Sequence, residues 1–265
     1  MKILRTANEN ASGHSAGQLT GRLSVVTGGA GDLGLATAAQ LAAVGSHVIL
    51  ADKMDCADHA NALSARGLQT SSMLMDVSDE SSVNAGFDDI LRTHGRVDIL
   101  VNNAGIGART PSDELSIEDW NRVLAVNLTG TFLCSRTAAR YMRAQKQGAI
   151  VNIASIMGMV GNALYANPAY HASKGGIINL TRAQAAEWAH VNIRVNAVAP
   201  TFVETRLTEG LLSEAGMKES IIARTPMARI AQPEEIAATV LFLASDSASM
   251  ITGIVVPVDG GWTAT

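Results

Sequence analysis

Continuous runs of Val, Ile and Leu alternate along this chain with longer stretches of helical period, and that alternation constrains the fold more than any other feature. The apolar runs fall at 23–27, 47–52, 69–75, 99–102, 149–153, 193–198 and 254–258. Several are unbroken, as in strands covered on both faces of a parallel sheet. Helical periodicity occupies 33–44, 79–94, 117–145, 170–190 and 233–245, the last opening on Pro233-Glu234-Glu235, a sequence suited to a first helical turn. Strand–helix alternation predicts an α/β fold, a single doubly wound parallel sheet of about seven strands flanked by helices. Residues 1–20 are polar and read as a flexible arm without a core face, and 21–265 as one domain. The long irregular stretch at 200–232 reads as a substrate lid, because it leaves a strand at the carboxyl end, where open parallel sheets bind ligands.

Composition narrows the classes. Hydrophobic residues make up 47% and aromatic residues only 4%, so aliphatic and Ala side chains must build the core. Charged residues at 17% argue against disorder. A net charge of -4 offers no basic footprint for nucleic acid. Cys56 and Cys134 are far apart, which excludes a disulfide framework, and the six histidines show no metal-ligand spacing, so no metal is expected. No apolar run is long enough to span a membrane, and Lys2 and Arg5 are not followed by the apolar core of a signal peptide. A cytoplasmic location is the expectation.

The first strand runs into Thr27-Gly28-Gly29-Ala30-Gly31-Asp32-Leu33-Gly34 and then directly into a helix. Such a loop brings backbone N–H groups and a helix N-terminus against phosphate, so a dinucleotide is expected on Gly28, Asp32, Leu33 and Gly34. The second strand ends at Asp52, whose carboxylate suits both adenosine ribose hydroxyls and would repel a 2′-phosphate; Lys53 follows it. NAD is expected over NADP. Asp76-Val77, after the third strand, reads either as the adenine edge of the same crevice or as a turn starter.

Tyr170 and Lys174 lie one turn apart on the fourth periodic helix, which places an ammonium beside a phenol and favours proton transfer near neutral pH. Around this pair the chain resembles a single-domain short-chain dehydrogenase/reductase over about 20–262. The resemblance is carried by the glycine loop, Asn102-Asn103-Ala104-Gly105, Val126-Asn127-Leu128-Thr129-Gly130, Asn152-Ile153-Ala154-Ser155, Tyr170 with Lys174, Arg194-Val195-Asn196-Ala197-Val198-Ala199-Pro200, and Asp259-Gly260-Gly261. It implies Tyr170 as acid/base and Ser155 as hydrogen-bond donor to the same substrate oxygen. Lys174 would act on the nicotinamide ribose, with Asn127 at a helix irregularity positioning a water that links Lys174 to solvent. Asn103, Ala104 and Gly105 would line the cofactor's ribose side. Pro200, Val203 and Thr205 would hold its nicotinamide and pyrophosphate end from the lid. A turn for Asn103 and a helix cap for Thr205 are the plainer alternatives.

Three departures from the family pattern stand out. Asp32 replaces a usual Gly and is expected to turn its carboxylate to solvent or to a neighbouring N–H. Thr201 replaces the Gly after Pro200 and presents a hydroxyl to nicotinamide or substrate. The segment between Ser155 and Tyr170 is about two residues longer than usual, which offers Asn162 and Asn167 as polar substrate contacts or as ordinary turn residues. Similarity of Ala186-Glu187-Trp188-Ala189, Phe202-Val203-Glu204-Thr205 and Gly260-Gly261-Trp262 leans toward NAD-linked polyol, sugar and sugar-acid dehydrogenases acting on a small alcohol or ketone. An NADPH-dependent 3-oxoacyl carrier-protein reductase is the alternative, and a non-catalytic dinucleotide sensor a remote one, since Ser155, Tyr170 and Lys174 are all present. The helix at 170–190 is apolar around most of its circumference and needs a partner on its second side, with 132–142 as a co-face; the family resemblance implies that the two pair between subunits of a homotetramer.

Overall fold

The computed structural model describes residues 18–265. Its seven strands are β1 (Leu23–Thr27), β2 (His47–Asp52), β3 (Thr70–Leu74), β4 (Ile99–Asn102), β5 (Gly148–Ile153), β6 (Ile193–Pro200) and β7 (Val255–Val258). They form one sheet in the order β3-β2-β1-β4-β5-β6-β7, parallel throughout. The helices are α1 (Asp32–Ala43), α2 (Ala57–Ser64), α3 (Glu80–His94), α4 (Ile117–Leu124), α5 (Gly130–Gln145), α6 (Pro168–Trp188), α7 (Arg206–Leu212), α8 (Met217–Arg224) and α9 (Pro233–Ala244).

Two apolar layers sandwich the sheet. On one face Ala38 and Leu41 of α1, Leu63 of α2 and Ile236, Val240 and Leu243 of α9 pack with Val26, Leu50, Ile99 and Val151. On the other, Phe87 and Ile90 of α3, Cys134 and Met142 of α5 and Trp188 of α6 pack with Val25, Leu100, Ile150 and Val195. Residues of one strand alternate between the two layers, so both faces of every central strand are apolar, and continuous Val/Ile runs are the result.

The structure adds to the sequence expectations at three places. The helical stretch at 117–145 is two helices joined by a π-helical turn, Ala125–Thr129. The lid at 200–232 contains α7 and α8, short helices whose packing on Phe202, Ile230 and Trp262, not their own periodicity, makes them helical. Of the arm expected at 1–20, residues 1–17 lie outside the described residues. Leu19, within it, is fully buried, and its N–H donates to the Val44 carbonyl at 2.9 Å. The packed body therefore begins before Gly21, because a large aliphatic side chain at 19 has a core site to fill.

The order reverses between β1 and β4, the switch point beyond whose carboxyl ends an open parallel sheet leaves a crevice. Helix α1 enters it from β1 through Gly29, which lies against the backbone of β2. A Cβ on Gly29 would meet Leu50 Cβ at 2.8 Å and Leu50 Cα at 2.9 Å. Gly29→Ala is therefore expected to cost about 1–3 kcal/mol of folding stability, as overpacking does. Urea unfolding measures it; an unchanged midpoint would show that β2 yields freely.

Candidate active site

A cavity of about 530 Å³ fills the crevice and runs from Asp52 and Asp76 at one end to Ser155, Tyr170 and Thr201 at the other. All the residues expected to hold a dinucleotide line it: Gly28, Asp32, Leu33, Gly34, Asp52, Lys53, Asp76, Val77, Asn103, Ala104, Gly105, Tyr170, Lys174, Pro200, Val203 and Thr205.

The glycine loop is braced by its neighbours. Gly28 has φ +65°, and a Cβ there would meet Ala104 Cα and Asn103 Nδ2 at 2.9 Å. A Cβ on Gly34 would strike the Gly28 carbonyl. Asn103 Nδ2 donates to the carbonyls of Thr27 (2.9 Å) and Gly28 (3.1 Å), and Thr27 Oγ1 accepts from the N–H groups of Asn103 (3.0 Å) and Ala104 (3.1 Å). Asn103 thus acts on the loop more than as a simple turn. No side chain caps the first turn of α1, whose N-cap is Gly31. Its N–H groups, at the positive end of the helix dipole, are left for an anion. A dinucleotide diphosphate fits that cradle.

At the adenosine end, Asp52 accepts from the N–H groups of Ala30 (3.1 Å) and Met54 (3.0 Å), one on each carboxylate oxygen. Each oxygen keeps a lone pair for a further donor. Asp76 accepts from the Ser78 N–H (2.9 Å) and hydroxyl (2.6 Å), which hold its carboxyl below the usual range. It is a turn starter that also borders the cavity. Thr205 is the N-cap of α7, its hydroxyl 3.1 Å from that of Thr208.

At the other end, α6 carries Tyr170 and Lys174, with the Lys174 ammonium 5.4 Å from the Tyr170 ring centre. Lys174 is 3% exposed and donates to the Ile153 carbonyl at 2.6 Å. Burial lowers it from 10.5 to about 8. That shift disfavours the charged form by about 3 kcal/mol. Burial pushes the Tyr170 phenol up, while the Ser155 side chain acts the other way. Ser155 accepts from the Met157 N–H at 3.1 Å, which leaves its own O–H to donate. Gly158 lets this loop lie on α6: a Cβ there would sit 2.6 Å from the Lys174 carbonyl carbon.

Asn127 sits in the π-helical turn and is fully buried. Its Oδ1 accepts from the Ile106 N–H, and its Nδ2 donates to the Ile106 carbonyl (both 2.9 Å) and Ser173 Oγ (3.0 Å). Gly105 stands beside both Asn127 and Lys174; a Cβ there would be 3.5 Å from Asn127 Oδ1 and 3.6 Å from Lys174 Nζ.

Two expected substrate residues are placed elsewhere. Asn162 spends its side chain on its own turn, accepting from the Leu164 N–H (3.0 Å) and donating to the Tyr165 carbonyl (3.2 Å). Asn167 is buried and accepts from the Ala108 N–H at 3.3 Å, tying the loop after β4 to the start of α6. Turn and loop chemistry win at both positions. Thr201 does line the cavity, and its buried Oγ1 has no hydrogen-bond partner among the described residues. Tyr165, Phe202 and Trp262 form an aromatic wall, their ring centres 6.2 and 5.3 Å apart in succession. Sequence reasoning missed Ile106, Arg206, Leu207 and Thr208, which also line the cavity. It also missed Arg109, which bridges to Glu214 of the lid at 2.7 Å. Only the basic character of Arg206, just after the expected lid residue Thr205, could have signalled it.

The crevice thus unites a diphosphate cradle, a carboxylate at the ribose end and a Ser–Tyr–Lys group. A family model described as enoyl-(acyl carrier protein) reductase matches residues 28–263. Cis-4-hydroxycyclohexanecarboxylate dehydrogenase of Sinomonas cyclohexanicum is 44% identical over 92% of this chain and 97% of its own. Galactitol 2-dehydrogenase of Rhizobium johnstonii is 42% identical over 93% and 96%, and 3-oxoacyl-[acyl-carrier-protein] reductase of Thermotoga maritima 39% over 92% and 98%. Among solved structures, a gluconate 5-dehydrogenase from Burkholderia cenocepacia in complex with NADP and tartrate superposes with a TM-score of 0.90 at 33% identity, covering 93% of this chain and 97% of that one. An NAD+-bound xylitol dehydrogenase gives 0.87 at 33%, covering 92% and 99%. The chain belongs to the short-chain dehydrogenase/reductase family, oxidoreductases that act on CH–OH groups with a nicotinamide dinucleotide.

Proposed function

We propose that this protein is an NAD-linked dehydrogenase of a polyol, sugar or sugar acid, working in the cytoplasm as a homotetramer. The observation that carries the reading is the cavity itself, with the Asp52 carboxylate at one end and Ser155, Tyr170, Lys174 and the unpartnered Thr201 hydroxyl at the other. A carboxylate at the adenosine ribose favours NAD, because a 2′-phosphate beside it would be repelled. A site built for hydroxyl groups rejects analogues that lack them, since its buried polar atoms would be left unpaired. The name of the galactitol enzyme points to the same substrate class, and that of the hydroxycyclohexanecarboxylate enzyme to a secondary alcohol on a carboxylic acid. Phe132, Phe242 and Ile254 are large apolar side chains exposed on α5, on α9 and next to β7, which supports burial between subunits. Among the described residues no helix is long and apolar enough to cross a membrane.

In this reading the bound dinucleotide supplies the hydride acceptor. Tyr170 takes the proton of the substrate hydroxyl as the carbon loses hydride, and returns it in the reverse direction. Ser155 donates to the same oxygen and stabilises its developing charge. Lys174 favours the Tyr170 phenolate and answers to the nicotinamide ribose, for which it would exchange the Ile153 carbonyl. Asn127 holds Ile106 and Ser173 against this group, and a water that links Lys174 to solvent would stand between them. A second reading, an NADPH-dependent 3-oxoacyl carrier-protein reductase, is favoured by one observation: relatives of that name match the chain nearly end to end.

The two readings separate in one assay. Purified protein with NAD and NADP in parallel, against polyols, aldonates and simple secondary alcohols, is expected to reduce NAD with one polyol or aldonate series. Silence there, with NADPH oxidised by a 3-oxoacyl thioester, would establish the second reading. Asp52→Ser is expected to narrow the NAD preference; a wild type that already prefers NADP would refute the ribose argument. Oxidation needs the Tyr170 phenolate and reduction the phenol, so alcohol oxidation should rise and ketone reduction fall as pH is raised, with Lys174 still largely cationic below about 8. Tyr170→Phe should abolish turnover, by about 10²-fold or more, and leave NADH binding intact; retained turnover would end the acid/base assignment.

A further inference from the structure

The carboxylate that replaces glycine in the phosphate loop has a partner in the lid. Asp32 Oδ2 accepts from the backbone N–H of Arg206 at 2.6 Å, and Asp32 Oδ1 accepts from Arg206 Nε at 3.1 Å. Arg206 Nη2 donates to the carbonyl of Ala30, in the middle of the same loop. The Asp32 side chain is 11% exposed and that of Arg206 60%. Both border the dinucleotide cavity, next to Gly31, Leu33 and Gly34. They also border a neighbouring cavity of about 830 Å³ under α7, so the pair stands as the wall between the two.

We infer that Arg206 is a diphosphate-binding residue, carried by the lid and oriented by Asp32, and that the two form a charge-matched clasp between lid and phosphate loop. The inference rests on the dinucleotide reading of the cavity. A guanidinium has five N–H donors in a rigid fork. Asp32 and Ala30 take two of them, and the remaining three have no acceptor among the described residues. A fork in that position matches phosphate oxygens, and charge-assisted hydrogen bonds of this kind are strong. Asp32 alone would oppose a dianionic diphosphate at the start of α1. Paired with Arg206 it is neutralised, and it fixes the guanidinium over the loop. The clasp also explains how an acidic residue is tolerated where the loop meets phosphate, and it couples cofactor binding to closure of the lid. Arg206 becomes a cofactor-binding residue, and Asp32 a positioning residue acting through it.

The experiment is calorimetric binding of ADP-ribose and of adenosine to wild type, Arg206→Ala, Asp32→Asn and the double variant, with thermal melts confirming that each is folded. Asn at 32 keeps an acceptor for the Arg206 N–H and removes the charge. Arg206→Ala, which exposes Asp32 to the diphosphate, is expected to weaken ADP-ribose binding tenfold or more. Adding Asp32→Asn should recover most of that loss. Adenosine, which has no diphosphate, should bind all four alike. The clasp is overturned by wild-type affinity in Arg206→Ala, by a double variant no tighter than Arg206→Ala, or by an equal loss of adenosine binding, which would mean a collapsed pocket. A wild type that binds adenosine but not ADP-ribose would overturn the dinucleotide reading and the clasp together.

Discussion

Close approach of backbones at the carboxyl ends of β1 and β4 is the constraint on which the rest of the site depends. Gly28 and Gly34 stand where a Cβ would collide with Ala104, Asn103 or the loop's own carbonyl. The space this saves lets Asn103 and Thr27 bind the two strand ends together through four hydrogen bonds. That brace fixes the angle at which α1 leaves the sheet, and with it the direction of the uncapped N–H groups that suit a diphosphate. Asp52, one strand away, joins the same loop through the Ala30 N–H. The length of the cavity from Asp52 to Ser155 follows from this geometry.

At the far end the cost of burying an ammonium outweighs the other effects. Lys174 is almost inaccessible, and it leans on a neutral acceptor, the Ile153 carbonyl. Its folded-state value of about 8 lies below the ordinary 10.5. Below pH 8 the folded protein therefore carries the full cost of the buried charge. Between 8 and 10.5 the unfolded chain binds more protons, so stability from this group rises with pH. A fold selected for stability alone would place a neutral side chain there. A buried Lys174 with a lowered value, 5.4 Å from the Tyr170 ring centre, is an arrangement suited to acid/base chemistry.

Much of this was legible in the residues. The strands could be read from unbroken Val and Ile runs because both faces of the sheet are covered, and α1 from the glycine loop that opens it. What stayed hidden depends on tertiary partners. Helices α7 and α8 are too short to show a period, and they take their shape from Phe202, Ile230 and Trp262. The π-helical turn at Asn127 shifts the register by one residue, too little to disturb the pattern of a long helix. Asn162 and Asn167 read either as substrate contacts or as turn residues, and the backbone N–H groups of Leu164 and Ala108 claim them. For Asp32 the physics of a carboxylate seeking an N–H was right, but the donor lies 174 residues away, at a position no local motif marks.

The most direct test of the central claim uses the three tyrosines of the chain, Tyr141, Tyr165 and Tyr170. With tyrosine labelled at Cζ, each gives one NMR signal whose shift reports ionisation of its phenol. Tyr141 is raised to about 12 by burial and its bond to Asp88, and Tyr165 to about 12 by burial. If the Lys174 cation favours the Tyr170 phenolate in the dinucleotide-bound enzyme, the signal missing from Tyr170→Phe will move at lower pH than the other two when NAD is present. A Tyr170 signal that titrates together with the other two would contradict the account.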